Sequence, residues 1–237
     1  MSTVNRELRY FGRVLAGQCH ELANALNIAH ELCGLHEDTL PRAREGDARA
    51  VEKLGSLAQR FAAQIARSNA IVRSLGHFAH SVDEGPLECD PREIVERSVF
   101  FAACQARRRQ TELRTILPEG VIGFVQGSQF QLQQAAHAGI ELLLEGVTEG
   151  RRITIRLAPD PAGAVITLES ADPLPGNDVA AGRLAEIDAL LHASGCEVRL
   201  TASNPGRIVF FLPYSHRDST VLEPHTLAAL AEVPDVD

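Results

Sequence analysis

The sequence predicts an N-terminal antiparallel helical hairpin followed by an α+β sandwich. Two long segments carry apolar residues at intervals of three and four, which is the pattern of packed helices. After a break at Gly85-Pro86, helical patterns alternate unevenly with pairs of strands, which is typical of helices on one face of a mixed sheet. We therefore expect a helical domain at residues 1–82, a sandwich at 87–215 and a tail at 216–237.

The first helix is predicted over residues 4 to about 36. Its apolar seam is expected to consist of Leu8, Phe11, Leu15, Leu22, Ala25/Leu26, Ala29 and Leu32/Cys33. The polar stretch 37–47 contains the helix breakers Pro41 and Gly46, so it is predicted to be the connection. A second helix is predicted from its own repeat of Val51, Leu54, Leu57/Ala58, Phe61, Ile65, Ser68, Ile71/Val72, Leu75 and Phe78.

A single hairpin of this kind leaves most of each apolar seam in water. Two hairpins that pair into a four-helix bundle bury both seams, so the sequence predicts a homodimer. The alternative is that the hairpin packs only against the rest of its own chain.

The elements of the second half are predicted from their caps and turns. Asp90 and Pro91 indicate the start of a helix, as N-cap and first helical residue. Strands are expected at 87–89, 111–117 and 121–125, and helices at 128–147 and 181–194. Two β-hairpins are expected, with turns at 161–163 and 204–206, and the tail is expected to form a short helix at 222–231.

Composition excludes several classes of protein. The net charge of −8 argues against a general nucleic-acid binder. No apolar run reaches the length of a transmembrane helix, and the N-terminus lacks a signal-peptide pattern. The five cysteines are scattered without a Cys-x-x-Cys pair, which is typical of reduced thiols. We expect a cytoplasmic protein with no membrane or nucleic-acid partner.

The stretch Gln-Cys-His-Glu-Leu-Ala-Asn-Ala-Leu-Asn, residues 18–27, is the strongest candidate for chemistry. His20 falls away from the predicted seam, so it is expected to face solvent, with Glu21 beside it and Asn24 one turn further along the helix. An exposed imidazole flanked by a carboxylate and an amide is suited to accept a phosphoryl group. The alternative is an ordinary surface histidine.

This stretch resembles the H-box of two-component histidine kinases, usually His-Glu-x-x-Asn-Pro-Leu. The resemblance implies that His20 carries the phosphoryl group, that Glu21 takes part in proton transfer, and that Asn24 positions water for dephosphorylation. Ala25 stands where the family usually has proline, which removes a helix kink and no reacting group. It also implies that the hairpin is the family's dimerisation and histidine-phosphotransfer (DHp) domain.

The second half resembles the ATP-binding domain of the same kinases. Gly127 followed by Gln131-Leu132-x-Gln134 matches the opening of the nucleotide-binding helix, and residues 191–200 and 208–213 match the last helix and strands. The devices that hold the nucleotide are missing, however. Leu142 stands where the metal-binding Asn is expected, with Glu141 and Glu145 as the nearby acidic residues.

The turn that binds adenine in the family reads Glu-Ser-Ala-Asp-Pro-Leu-Pro-Gly at 169–176, in which Asp172 survives but the glycine pattern does not. There is no second Gly-x-Gly turn and no room for a lid before the predicted helix at 181. The resemblance therefore implies a degenerate ATP-binding-like domain. His77 and His80 have a metal-like spacing without a completing ligand, so we expect no metal there.

We interpret the chain as a histidine phosphotransferase of a phosphorelay, with catalytic residues His20, Glu21 and Asn24 and no cofactor or metal of its own. Its expected partners are the receiver domains of response regulators and a second copy of itself. The alternatives are a divergent sensor kinase that still binds ATP and magnesium, a non-catalytic pseudokinase scaffold for a kinase or response regulator, and a phosphatase acting through Glu21 and Asn24.

Overall fold

A computed structural model describes residues 3–83, 87–193, 199–203 and 206–215. Within these ranges the elements, in chain order, are α1 (Thr3–Arg44), α2 (Ala48–Asp83), β1 (Leu87–Cys89), α3 (Pro91–Arg108), β2 (Glu112–Ile116), β3 (Val125–Gly127), α4 (Gln129–Gly146), β4 (Arg152–Asp160), β5 (Gly163–Ser170), α5 (Asn177–Ala193), β6 (Arg199–Ser203) and β7 (Arg207–Pro213). The predicted tail and its helix at 222–231 lie outside the described residues.

The first two helices form the predicted hairpin, but the predicted connection at 37–47 is wrong. Helix α1 continues to Arg44 and includes Pro41. Proline has no backbone N–H, so the helix loses one hydrogen bond at Pro41. Because Pro41 lies in the last turn, the preceding turns keep their hydrogen bonds. The tight turn that follows is fixed by Asp47, whose carboxylate accepts from the N–H groups of Arg49 (3.0 Å) and Ala50 (3.2 Å) and pairs with Arg42 (2.7 Å). None of the described helices is apolar enough over a sufficient length to cross a bilayer.

The sheet is mixed, as predicted. Its strand order is β2-β4-β5-β7-β6, with β2 and β4 parallel and the other neighbours antiparallel. The strands of the two predicted β-hairpins pair as β4–β5 and β6–β7, and residues 204–205 of the second predicted turn lie outside the described residues. Gly163 is required where β5 meets β7, because a Cβ there would lie 2.2 Å from the carbonyl oxygen of Leu212. The short strands β1 and β3 form a separate antiparallel pair.

One predicted strand is wrong. Residues 121–124 belong to no strand, and β3 begins only at Val125. The preceding loop is held by Arg92, which donates to the carbonyl oxygens of Pro118 (2.9 Å) and Gly120 (3.0 Å). The two predicted helix starts are confirmed, since Asp90 caps α3 and Ser128 caps α4.

A single apolar core joins α3, α4 and α5 to the sheet. Alternate strand residues such as Ile155, Ile166 and Phe210 enter this core, which places the helices on one face, as expected of an α+β sandwich. Helix α4 approaches the sheet closely because Gly139 has no side chain; a Cβ there would lie 2.7 Å from Leu168 Cδ1. Helix α5 begins at Asn177, earlier than predicted, so only 171–176 separate it from β5.

Candidate functional site

His20 and Asn24 are exposed on α1, one helical turn apart. Each directly precedes a buried residue, Glu21 and Ala25 respectively. Since consecutive helix residues are rotated by about 100°, this order turns His20 and Asn24 to the same side of the helix. An imidazole and an amide are thus presented together to solvent.

Glu21 does not join them. The prediction that Glu21 lies beside His20 on the solvent-facing side is wrong, because its side chain is only 9% exposed and faces the other helices. Its carboxylate forms ion pairs with Arg67 of α2 and Arg107 of α3. The Cys104 thiol of α3 donates to the second carboxylate oxygen at 2.9 Å. Three helices therefore meet at this carboxylate.

These contacts determine how Glu21 titrates. Burial acts to raise the pKa of its carboxyl group, but the Cys104 hydrogen bond and the charges of Arg107 and Arg67 outweigh it and hold the pKa below its ordinary value. Burial, together with the neighbouring carboxylate, raises the pKa of the Cys104 thiol. At neutral pH the cluster therefore contains a carboxylate and a thiol.

The apolar seam of α1 is different from the predicted one. The positions that pack within the molecule include Val14, Gln18, Ala25 and Leu32, and Leu8, Leu15 and Leu26 of the predicted seam are 40–63% exposed. Helix α1 therefore carries one buried and one exposed apolar stripe, and the predicted seam combined residues from both. The exposed stripe follows the buried one by one residue, as Leu15 follows Val14 and Leu26 follows Ala25.

Helix α2 has the same arrangement. Ala50, Leu57 and Ile71 are buried, and the residues that follow them are exposed, namely Val51, Ala58 and Val72. In both helices the exposed apolar residue comes one position after a buried one. Because the two helices are antiparallel, this shared offset places both exposed stripes on the same side of the hairpin. His20 and Asn24, which precede buried positions, turn to the opposite side. The exposed apolar face and the exposed histidine thus lie on different sides.

The open end of the hairpin is packed against the sandwich by aromatic rings. Phe78 of α2 is 1% exposed and lies at the centre of this cluster. Its ring contacts those of Tyr10, Phe11, Phe101 and Phe130, with centroid distances of 5.1–5.7 Å. The four helices α1 to α4 are therefore joined in one buried seam.

We expect Phe78→Ala to lower the free energy of unfolding by about 3–5 kcal/mol, because it removes a fully buried ring from a packed cluster. Chemical denaturation measures this loss. The exposed neighbour in His77→Ala is the matched control and should change stability by less than about 0.5 kcal/mol. A small effect of Phe78→Ala would mean that the aromatic seam does not hold the hairpin to the sandwich.

A polar cleft lies beside this seam, between α1, α4 and α5. Its lining includes Arg9, Arg13 and Arg183. Nη1 of Arg13 lies 3.6 Å from Oε2 of Glu141. Burial lowers the pKa of His137, whose Nδ1 lies 4.0 Å from the same carboxylate. The lining of the cleft therefore carries three arginines and one glutamate, Glu186, and both Arg13 and Arg183 are paired with glutamates. In the described part of the chain, no three His, Cys, Asp or Glu side chains are grouped to hold a metal ion.

The residues at which the resemblance predicts nucleotide-binding devices make structural contacts instead. Leu142 is fully buried in the sandwich core, where a metal ion has no access. Glu145 pairs with Arg183 of α5 at 2.8 Å. Asp172 accepts a hydrogen bond from the backbone N–H of Thr148 at 2.7 Å, which ties the loop before α5 to the end of α4.

Sequence reasoning missed the partners of Glu21. Arg67, Cys104 and Arg107 come from helices distant in the chain, and no local pattern pairs them with Glu21. One available signal was the heptad of Val14, Glu21 and Ile28, which places Glu21 near the seam.

Comparison with known proteins gives one sequence match and several structural ones. No known family profile matches the chain. Over 131 residues, which is 54% of the chain, it is 29% identical to the C4-dicarboxylate transport sensor protein DctS of Rhodobacter capsulatus. The match spans 18% of the length of that protein.

Among solved structures, the chain is similar to histidine kinases. The catalytic domain of histidine kinase ThkA gives a TM-score of 0.47 at 10% identity, covering 55% of this chain and 97% of that one. Acinetobacter baumannii histidine kinase AdeS gives 0.44 at 12% identity, covering 79% and 96%. The cytoplasmic segment of histidine kinase QseC gives 0.40 at 15% identity, covering 64% and 94%.

Proposed function

We propose that this protein acts in two-component signalling as a histidine phosphotransferase, passing a phosphoryl group between receiver-domain aspartates through His20. The observation that carries the proposal is the exposure of His20 and Asn24 together on one side of α1. A receiver domain can reach that side without opening the hairpin. The H-box resemblance and the similarity to a sensor protein support the same assignment.

In the transfer step, a ring nitrogen of His20 attacks the phosphorus of the receiver's aspartyl phosphate in line with the leaving carboxylate oxygen. The new P–N bond forms as the P–O bond breaks, and its electron pair leaves on the aspartate carboxylate. The ring proton that is lost passes to water, because His20 is exposed and the Glu21 carboxylate is engaged by Arg67, Arg107 and Cys104. The reverse step loads a second receiver.

The residues of the sandwich support a phosphoryl donor other than ATP. Leu142 offers no oxygen to a metal ion, and Glu145 is already paired with Arg183. The six residues between β5 and α5 leave too little chain for a lid over a triphosphate. A phosphate that reaches His20 would then come from another protein.

The homodimer belongs to the same proposal. Leu8, Leu15 and Leu26 of α1 face the same side as Val51 and Val72 of α2, and each is at least 40% exposed. Exposed apolar residues on one side of a helical hairpin are suited to pair with a second copy as a four-helix bundle. His20 stays accessible in such a dimer because it turns to the opposite side.

Two parallel labelling reactions test the proposal. The protein is incubated with γ-labelled ATP and magnesium, and separately with receiver domains labelled on their aspartate. We expect label from a receiver and none from ATP. Label from ATP would identify a divergent kinase instead, and no label from any receiver of a broad panel would favour a non-catalytic scaffold. Either result would contradict the proposal.

Leu142→Asn distinguishes the kinase alternative. If the sandwich retained a usable nucleotide site, restoring the Asn would raise MgATP affinity. We expect instead no MgATP binding by calorimetry and a loss of about 3–5 kcal/mol in the free energy of unfolding, because an amide replaces a fully buried leucine. Leu142→Met is the control, with an expected cost below about 1.5 kcal/mol.

A further inference from the structure

We propose that Glu21 is a positioning residue, which clamps the sandwich to the helical turn that carries His20, and that it is not a proton acceptor. The inference deepens the proposed function and rests on it where it concerns transfer through His20. The contact that carries it is the ion pair between Glu21 and Arg107, which joins α1 to α3.

Both oxygens of the Glu21 carboxylate already accept hydrogen bonds. One oxygen accepts from the Cys104 thiol, and the other is shared by the guanidinium groups of Arg67 and Arg107. A carboxylate held in this way is a weak base, because protonation would cost it two ion pairs. The side chain is also only 9% exposed, on the face of α1 away from His20.

The position of the cluster suits a clamp. Arg107 lies in the last turn of α3, directly after Ala106, which is buried in the sandwich core with Ala102. Glu21 directly follows His20 in α1. The Glu21–Arg107 pair, together with the Cys104 hydrogen bond, therefore connects α3 of the sandwich directly to the turn of α1 that carries His20. Arg67 adds α2 to the same point and keeps the hairpin closed there.

Amide hydrogen exchange of the full-length protein tests the clamp without any receiver. We expect Glu21→Gln and Arg107→Met each to raise exchange about tenfold or more at 18–25 and 100–108, which is the scale of a lost hydrogen bond to a charged group. Amides of β4 and β5 should keep their wild-type protection, which separates a local clamp from a general loss of stability. Arg108→Met, the exposed neighbour, is the control and should leave all these rates unchanged.

The double variant provides the sharper test. If Glu21 and Arg107 act through each other, Glu21→Gln with Arg107→Met should add little to the larger single effect. Fully additive effects, or an Arg107→Met protein that exchanges like the wild type, would overturn the clamp.

The pH dependence of exchange gives an independent readout. Because the pKa of Glu21 is lowered in the folded protein, its contribution is complete above the ordinary carboxyl range and is lost as the pH falls through the lowered value. Protection at 18–25 should therefore fall at acid pH in the wild type, and Glu21→Gln should lack this step. An identical acid profile in the two proteins would contradict the inference.

Transfer kinetics separate positioning from proton transfer. A clamp predicts that Arg107→Met slows phosphoryl transfer to His20 by a factor similar to that of Glu21→Gln. A proton acceptor predicts that Glu21→Gln slows transfer without loosening 100–108, and that result would overturn the proposal. If the wild-type protein accepts no phosphate at all, the proposed function fails, and the exchange data still decide the clamp.

Discussion

His20→Gln abolishes the phosphorylation of this protein by labelled receiver domains. We expect at least about a thousandfold loss, to the detection limit, because the glutamine amide cannot replace the imidazole nucleophile. His20 is exposed, so the substitution should leave the fold unchanged. The measurement is incorporation of label at early times, with circular dichroism and thermal unfolding to show that the variant is folded.

His30→Gln is the matched control, since His30 is also exposed on α1. It should incorporate label at the wild-type rate. If His20→Gln were labelled like the wild type and His30→Gln lost its label, the phosphoryl group would be on His30 and the proposal would be contradicted. Retained labelling in both would remove the H-box interpretation.

Leu26→Glu dissociates the dimer. Leu26 is 48% exposed in the single chain and belongs to the apolar face proposed to pair with a second copy. Each dimer would bury two introduced carboxylates without partners, at about 2 kcal/mol or more each, so the dissociation constant should rise about a thousandfold. Analytical ultracentrifugation over a range of protein concentrations measures this change.

The adjacent substitution, Asn27→Glu, introduces the same charge into the same turn of α1. Asn27 is exposed and lies outside the apolar stripe, so its variant should remain dimeric. A wild-type protein that is monomeric at all concentrations, or equal effects of the two substitutions, would contradict the proposed dimer.

Local patterns predicted much of the fold. The cap at Asp90, the start of the helix at residue 128, the mixed sheet and the strand pairs β4–β5 and β6–β7 depend on residues close in sequence, and these predictions are confirmed. Helix α1 ends later than predicted, because Pro41, a residue that usually breaks helices, lies in the last turn and removes only one hydrogen bond there. The loop before β3 differs from the predicted strand, and its anchor, Arg92, lies far away in the chain, where no local pattern indicates it.

The environment of the candidate site could be predicted only in part. The exposure of His20 follows from helix periodicity, and it is observed. The burial of Glu21 depends on Arg107, which is 86 positions away and reaches it only after the hairpin has packed against α3. Glu21 is also hard to assign to the seam from sequence, because the helical repeat is recognised from apolar residues and Glu21 is charged. The pairing of distant helices was therefore the missing information.

Phosphorus NMR of the protein mixed with a phosphorylated receiver domain, in the absence of any nucleotide, tests phosphoryl transfer to His20 most directly. We expect the acyl-phosphate signal of the receiver to decline as a phosphohistidine signal appears, and the new signal to be absent with His20→Gln. Decay of the acyl phosphate to inorganic phosphate alone, with wild-type protein and across a broad panel of receivers, would contradict the proposed transfer.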